Sequence, residues 1–506
     1  MAVTIENLPE EMLDKVFTYL SLEDRKAVSR VCLYWSRLAF RRMNFQIAID
    51  VRKNKSERTY LRVLLGSNRR YRHLWFYFGN RQDKSELMLA IMRTFADSLE
   101  TLKIMSDSTI ALRLDVLSHV AGICRNLKIL HLQSVLFQYH DCSDTQFDAL
   151  ARLERLYLRS NLLEFSDVPI ETMTPNITSL FIIISYVSVR PIEFLRSFSS
   201  RLRQLEVRFL TDDHFGAFSK LEFPQLEQLS LSSADSLLEG NKLASYVELF
   251  HGLSNLVELT LQYEISITVL ESVTKCCKKL RSLCLDTEEL FDEHFVLIGE
   301  LKCLEALRLM SAEIGIENAE SFPVLPGLRQ LTLEGVSVEM FFELNSFIRH
   351  SFPALASLQL VRVCRHMDTG KMAIFYNCLL CNLLSLERLL LSEKENELDM
   401  KLFACFVQLP RLHRIQLHFR SLVAYNSLHD FSSVCNFRTV VLDVRQIDEK
   451  NLQMMLNQLP MLKQLEIPAA HFCSTEGLQI IRQKHPDCII ITRLKFQMDW
   501  WRKCFS

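Results

Sequence analysis

Glycine and proline are scarce, 12 of each in 506 residues, and no low-complexity or proline-rich stretch interrupts the chain. Collagen-like and linker-dominated designs are thereby excluded, and 49% hydrophobic residues make the chain too apolar to stay disordered. No segment reaches ~18 consecutive apolar residues, so no membrane-spanning helix is expected. Charge of one sign is lacking too. The 59 Lys and Arg against 60 Asp and Glu leave a formal net charge of −1, and no global field favours nucleic acid. The 15 cysteines are scattered, and the N-terminus shows no signal-peptide pattern. They read as reduced core residues of a cytoplasmic and/or nuclear protein, not as a disulfide frame.

Catalytic and metal signatures are missing as well. The 14 histidines show no His-x-x-x-His or His-Glu-x-x-His spacing, and no Gly-x-Ser-x-Gly elbow occurs. Cys378-Leu-Leu-Cys381 is the single Cys-x-x-Cys pair, with no second pair at zinc-ligand distance, and reads as helix packing. No metal site is expected, and the chain is not expected to be an enzyme. Lys503-Cys504-Phe505-Ser506 puts cysteine third from the end, where prenylation requires it fourth.

What is present is a spaced Leu-x-x-Leu-x-Leu pattern returning about every 26 residues. The first anchors of the units are Tyr71, Leu99, Leu127, Leu153, Ile177, Leu202, Leu226, Leu256, Leu280, Leu304, Leu328, Leu355, Leu386, Leu412, Phe437, Leu462 and Cys488. Within a unit the fourth and sixth positions fall on one side of a short strand and are expected to be buried, while the third, fifth and seventh face outward. Between strands the period changes to that of a helix, as in Asp448–Leu459. The predicted fold is α/β: a leucine-rich-repeat solenoid of about 17 repeats over 43–495, its parallel sheet on the concave face and its helices on the convex one. Spacings of 30 (Leu226 to Leu256) and 31 (Leu355 to Leu386) predict two protruding loops. The closing asparagine of the repeat turn is well placed only at Asn161.

Residues 1–42 differ. Asn7, Pro9 and Glu10 are helix-start signals, and Leu13, Val16, Phe17 and Leu20 then form one apolar stripe. Ser21 is placed to cap a second helix, and Val31, Trp35 and Leu38 line a third. A unit of about 40 residues cannot bury much surface by itself. It either caps the open end of the repeats or needs a partner.

The opening Leu8-Pro9, the Tyr19-Leu20-Ser21-Leu22 junction, and Val31-Cys32 with Trp35 closely resemble an F-box. An F-box followed by leucine-rich repeats is a known architecture. The resemblance implies a non-catalytic substrate receptor whose F-box docks on the Skp adaptor and, through it, the cullin and RING subunits of an SCF-type ubiquitin ligase. The repeats would select the protein to be ubiquitinated. By position the adaptor contacts would be Leu8, Pro9, Leu13, Val16, Phe17, Leu20, Val31 and Trp35, some of which must form the unit's own core. A non-degradative adaptor-bound scaffold and a repeat protein that inhibits its target are the alternatives.

Register singles out a candidate target-binding wall. Arg155, Tyr157 and Arg159, then Phe181 and Ile183, then Glu206 and Arg208 occupy outward strand positions, and exposed Tyr, Phe and Arg have hot-spot composition. Trp75 and Tyr77 hold the same positions one turn from the F-box. A basic cluster of Arg52, Lys53, Lys55, Arg58, Arg62, Arg69, Arg70 and Arg72 precedes the first clear repeat. Plant hormone receptors similar in architecture hold an inositol polyphosphate, which makes the cluster a candidate phosphate site, against the alternative of a solvated helix face. No other cofactor is expected. The tail, 496–506, carries Trp500 and Trp501 and is expected to cap the last repeat around Ile467 and Ile489, the alternative being that it folds back along the concave wall toward Tyr157 and Phe181 and gates the target site.

Overall fold

A computed structural model describes residues 8–20, 22–39, 45–50, 64, 71–78, 85–138, 149–159, 170–184, 190–209, 214–233, 242–310, 313–315, 322–336, 341–364, 369–381, 383–399, 406, 409–423, 437–446, 459, 461–468, 483, 486 and 488–493. The chain forms two compact units, Met1–Leu226 with Ser233–Asp235, and Glu227–Ser232 with Ser236–Ser506.

The first unit opens with three helices, α1 (Glu10–Thr18), α2 (Leu22–Val28) and α3 (Leu33–Ala39). The amphipathic stripe of α1 puts Leu13 and Phe17 against Leu38 and Ala39, with Leu8, Leu20, Val28 and Trp35 packed around them. Phe17 and Trp35 meet edge to face, ring centroids 5.6 Å apart. Pro9 holds the N-cap with no side-chain cap bond, and the expected cap Asn7 lies outside the described residues, as does Ser21. Val31 precedes α3 and is exposed, so it does not line that helix as expected. The device that closes the unit is one the sequence did not announce. Arg25 is buried and donates to the carbonyls of Thr18 (2.8 Å), Leu20 (3.1 Å) and Ala39 (3.2 Å), satisfying helix-end acceptors with a cation where the helix dipole favours one.

Seven strands follow: β1 (Phe45–Asp50), β2 (Tyr71–Phe78), β3 (Thr101–Arg113), β4 (Ile129–Gln138), β5 (Arg155–Arg159), β6 (Ser179–Ile184) and β7 (Gln204–Phe209). Each pairs in parallel with the next. In the second unit β8 (Gln228–Ser233), β9 (Glu258–Gln262), β10 (Ser282–Asp286), β12 (Ala306–Met310), β14 (Gln330–Glu334), β15 (Ser357–Val361), β16 (Arg388–Asp399), β17 (Arg414–Val423), β18 (Thr439–Gln446), β19 (Gln464–Pro468) and β20 (Ile489–Arg493) continue the same one-step parallel pairing. Two short strands, β11 (Glu289–Leu290) and β13 (Glu313–Ile314), form a separate pair. The architecture is an α/β leucine-rich-repeat solenoid preceded by the three-helix unit.

Anchor and strand agree from Leu99 to Leu462 because each of those anchors is itself core, whereas Cys488 is half-buried and β20 begins one residue after it. Leu127, Leu130 and Leu132 are buried, as are Leu153, Leu156 and Leu158, and the pattern recurs at Leu280, Leu283 and Leu285. Helices such as Ser85–Phe95, Arg190–Phe198 and Phe341–Ser351 cover this layer, and their aromatics interlock. Phe347 alone packs on Phe295, Phe322 and Phe352 with centroids 4.8 to 5.1 Å apart.

Two expectations change, and a third falls largely outside the described residues. A strand, β1, stands before the first recognised anchor. The 31-residue spacing is taken up largely by a 12-residue helix, Thr369–Leu380, where a loop was expected. The 30-residue spacing contains the helix Lys242–His251, with 234–241 outside the described residues. Asn161, the helix expected over 448–458, most of the basic cluster before Tyr71 and the tail 496–506 also lie outside them. No described helix is long and apolar enough to cross a membrane.

Candidate functional site

In the first unit the fifth position of successive repeats forms one row across six strands. Trp75 pairs with Lys103, Lys103 with His131, His131 with Tyr157, Tyr157 with Phe181, and Phe181 with Glu206. Parallel pairing sets these side chains one strand spacing apart, ~4.8 Å, so rings and cations stack on each other. The Lys103 Nζ lies 5.1 Å from the Trp75 ring centre, the His131 and Tyr157 rings stack at 5.4 Å and 28°, and the Arg159 guanidinium carbon lies 5.0 Å from the centre of Phe181.

This stacking decides which outward residues are free. Arg155 and Arg208 are exposed, and Tyr157, Arg159 and Ile183 are half-buried. Phe181 is only 6% exposed, so the register expectation fails there. Its strand neighbours Tyr157 and Glu206, with Arg159 over its face, cover it. Trp75 and Lys103 are likewise buried. Lys103 and His131 were not singled out in the sequence, although counting to the fifth position of each repeat finds both.

Burial also sets the charges. The His131 imidazole is pushed down to about 3, by burial first and then by the Lys103 and Arg159 charges, so it is neutral at pH 7. Its Nε2 is buried without a hydrogen-bond partner, as is the Arg159 Nε. Glu206 is pushed up by burial, with Arg159 opposing. At the strand entrances Glu100 bridges Arg72 (3.2 Å) and Lys128 (3.5 Å), which ties the last member of the basic cluster to the repeats. The surface can hold a partner by ring and cation contacts. Among the described residues no group of three or more His, Cys, Asp or Glu is placed to bind a metal. The buried thiols of Cys124, Cys277 and Cys364 are each pushed up to about 12 by burial, which disfavours the nucleophilic thiolate.

The three-helix unit divides its apolar residues. Leu13 and Phe17 belong to its own core, with Leu8, Leu20 and Trp35 partly buried against it. Pro9 is exposed, as are Val16 (40%) and Val31. Met12, Tyr19 (81%), Leu33 (81%) and Tyr34 are exposed as well, and none of these four was anticipated. Six large apolar side chains in the open on so small a unit form an unpartnered surface.

Residues 5–45 match the family described as F-box-like. The chain therefore carries an F-box-like domain ahead of its leucine-rich repeats. No curated protein matches the sequence. Among solved structures the chain is similar to Rad7 in the yeast Rad7–Elc1 complex, at 15% identity over 97% of this chain and 99% of that one, with TM-score 0.39. It is also similar to an internalin of Listeria monocytogenes (15% identity, 69% and 88% covered, TM-score 0.34) and to the mouse RP105/MD-1 complex (17%, 74% and 76%, 0.35). At these scores no property of those proteins is carried to this chain.

Proposed function

We propose that this chain is the non-catalytic substrate-recognition subunit of an SCF-type ubiquitin ligase. Its F-box-like domain docks a Skp-type adaptor and thereby the cullin and RING subunits, and its repeats hold a target protein. The observation that carries this reading is the coincidence of the F-box-like match with an exposed apolar set on a unit whose own core is already closed. Met12, Val16, Tyr19, Val31, Leu33 and Tyr34 supply the mainly hydrophobic contact, with Leu8 and Pro9 at the entrance of α1. Leu13 and Phe17 act by holding that surface in shape.

Target binding is assigned to the outward row of the first unit, with Arg155, Tyr157, Arg159, Ile183 and Arg208 making contact and Phe181 supporting Tyr157 from the adjoining strand. Rings and arginines that already stack on one another lose little side-chain freedom on binding. The test is co-purification of Skp adaptor and cullin with the full chain, followed by target abundance after depletion of this protein. Failure to recover the adaptor rejects the reading. Recovery of adaptor with no target whose level rises favours a non-degradative scaffold.

A further inference from the structure

The cations of the second unit fall into two groups. Arg281 pairs with Glu305 at 3.2 Å, and Arg308 and Arg362 share Glu334. From β16 onward the pattern changes. Arg388 and Arg414 are strand partners, and backbone bonds from Arg438 to His413 and from Lys463 to Arg438 set His413, Arg438 and Lys463 side by side at the strand entrances. With Arg411, these put five permanent cations on four neighbouring repeats. All five are exposed, and none makes an ion pair among the described residues. Among the described residues the acids at hand are Glu387, beside Arg388, and Glu466, which is buried and accepts from Gln464 at 2.8 Å.

Two concavities open among them. One, about 200 Å³, is lined by Gln359, Arg388, Leu390, Arg414 and Gln416 among others. The second, about 370 Å³, is lined by Pro410, Arg411, His413, Arg438 and Met461. His413 lines the second and Arg414 the first, and the two residues are consecutive in the chain. Met461, 48% exposed, lines the second, and among the described residues no aromatic side chain lines either one.

We propose that this surface is a docking site for an extended acidic segment of a partner protein that alternates carboxylates with leucine-like side chains, Arg414 and Arg438 pairing the carboxylates and Met461 receiving the apolar side chain. Charge complementarity selects an acidic occupant, since uncompensated cations on neighbouring strands favour one that brings its own carboxylates. Size and lining select a peptide over nucleic acid. Four strands span about 14 Å, which four or five extended residues cover. A single-stranded nucleic acid would want aromatic platforms that the described lining residues do not offer, and the net charge of −1 gives it no long-range attraction.

The test is fluorescence anisotropy of the full chain with a fluorescein-labelled (Glu-Leu)4 peptide, a (Lys-Leu)4 control and an eight-nucleotide thymidine strand. The acidic peptide is expected to bind saturably, about tenfold more weakly to the Arg414→Glu/Arg438→Glu variant, and more weakly in high salt. Arg414→Gln/Arg438→Gln provides a milder pair whose melting curve must match the parent. Absence of saturable binding by the parent chain, undiminished binding by either variant, or tighter binding of the oligonucleotide than of the acidic peptide overturns the proposal.

Discussion

Arg159 lies over the ring of Phe181, its guanidinium carbon 5.0 Å from the ring centre, and this contact turns an outward strand position into a covered one. Phe181→Ala is therefore expected to cost stability, about 3 kcal/mol, because it opens a void beside Tyr157 and beneath Arg159. Arg159→Ala should cost less, about 1 kcal/mol, since a half-exposed cation–ring contact is worth no more. Tyr157→Ala should cost about 1 kcal/mol for its lost stack on His131 and weaken target capture by more than that loss explains. Denaturant midpoints of the three variants decide it, and a neutral Phe181→Ala would return that residue to the free surface.

The three-helix unit allows a sharper contrast. Val16 and Phe17 are neighbours in sequence, about 100° apart around α1, with Val16 exposed at the edge of the stripe and Phe17 closing the core against Trp35. Val16→Asp combined with Leu33→Asp is expected to abolish adaptor co-purification with no loss of helix signal. Phe17→Ala should instead melt the unit, at about 3 kcal/mol. Leu8→Ala with Pro9→Ala is expected to reduce adaptor binding while the repeats stay folded, because each repeat contacts only its neighbours. Undiminished adaptor recovery by the Val16/Leu33 variant would remove the exposed apolar set from the interface.

Much of this fold is legible in the chain, and the exceptions have physical causes. Each anchor from Leu99 to Leu462 opens a strand two residues later, because burial of positions four and six fixes strand phase wherever leucine repeats. Strand β1 escaped because Phe45-Gln-Ile47-Ala-Ile49 alternates without any Leu-x-x-Leu spacing. The outward row was legible as register but not as exposure. Whether Phe181 is open depends on the size of what stands on the adjoining strands, information that sits some 25 residues away on either side. In the F-box-like domain the apolar stripe was evident. Its division into core and surface was not, since i and i+4 residues on one stripe differ only in what packs over them. Arg25 gave no signal at all, because a buried arginine is written like an exposed one.

Acid should probe the outward row directly. A histidine whose folded value is depressed to about 3 from its ordinary 6.5 takes up a proton in the unfolded chain before it does so in the folded one. Stability from this group is thus complete above about pH 6.5 and declines as pH falls toward 3. Glu206, raised by burial, works in the opposite sense, so the comparison must isolate the histidine. His131→Gln is expected to flatten the fall in melting temperature between pH 6.5 and 4 relative to the parent chain. Parallel curves for the two would show that His131 is not held neutral by its burial and the neighbouring Lys103 and Arg159 charges.

The last prediction concerns a buried carboxylate in the second unit. Glu393 Oε1 accepts the backbone N–H groups of Val363 (2.7 Å) and Cys364 (2.9 Å), and the Tyr376 hydroxyl stands 3.4 Å away. It thereby fixes the turn after β15, where Arg362 adopts a left-handed backbone, φ 57°. Burial pushes the Glu393 carboxyl up, with the two N–H groups opposing, so the site wants an acceptor oxygen more than it wants a charge. Glu393→Gln retains the acceptor and removes the desolvation cost. It is expected to change stability by less than about 1 kcal/mol, or to raise it, and to remove the gain in stability that Glu393 otherwise shows as pH falls toward its raised value. Glu393→Ala leaves two buried N–H groups without an acceptor and should cost about 2 to 4 kcal/mol. Arg362→Gly gives the turn a residue at ease with positive φ, a gain of about 1 kcal/mol that offsets the loss of its exposed pairing with Glu334. Chemical denaturation at pH 7 separates these outcomes: equal destabilisation by Gln and Ala would show that the charge, not the acceptor, holds the turn.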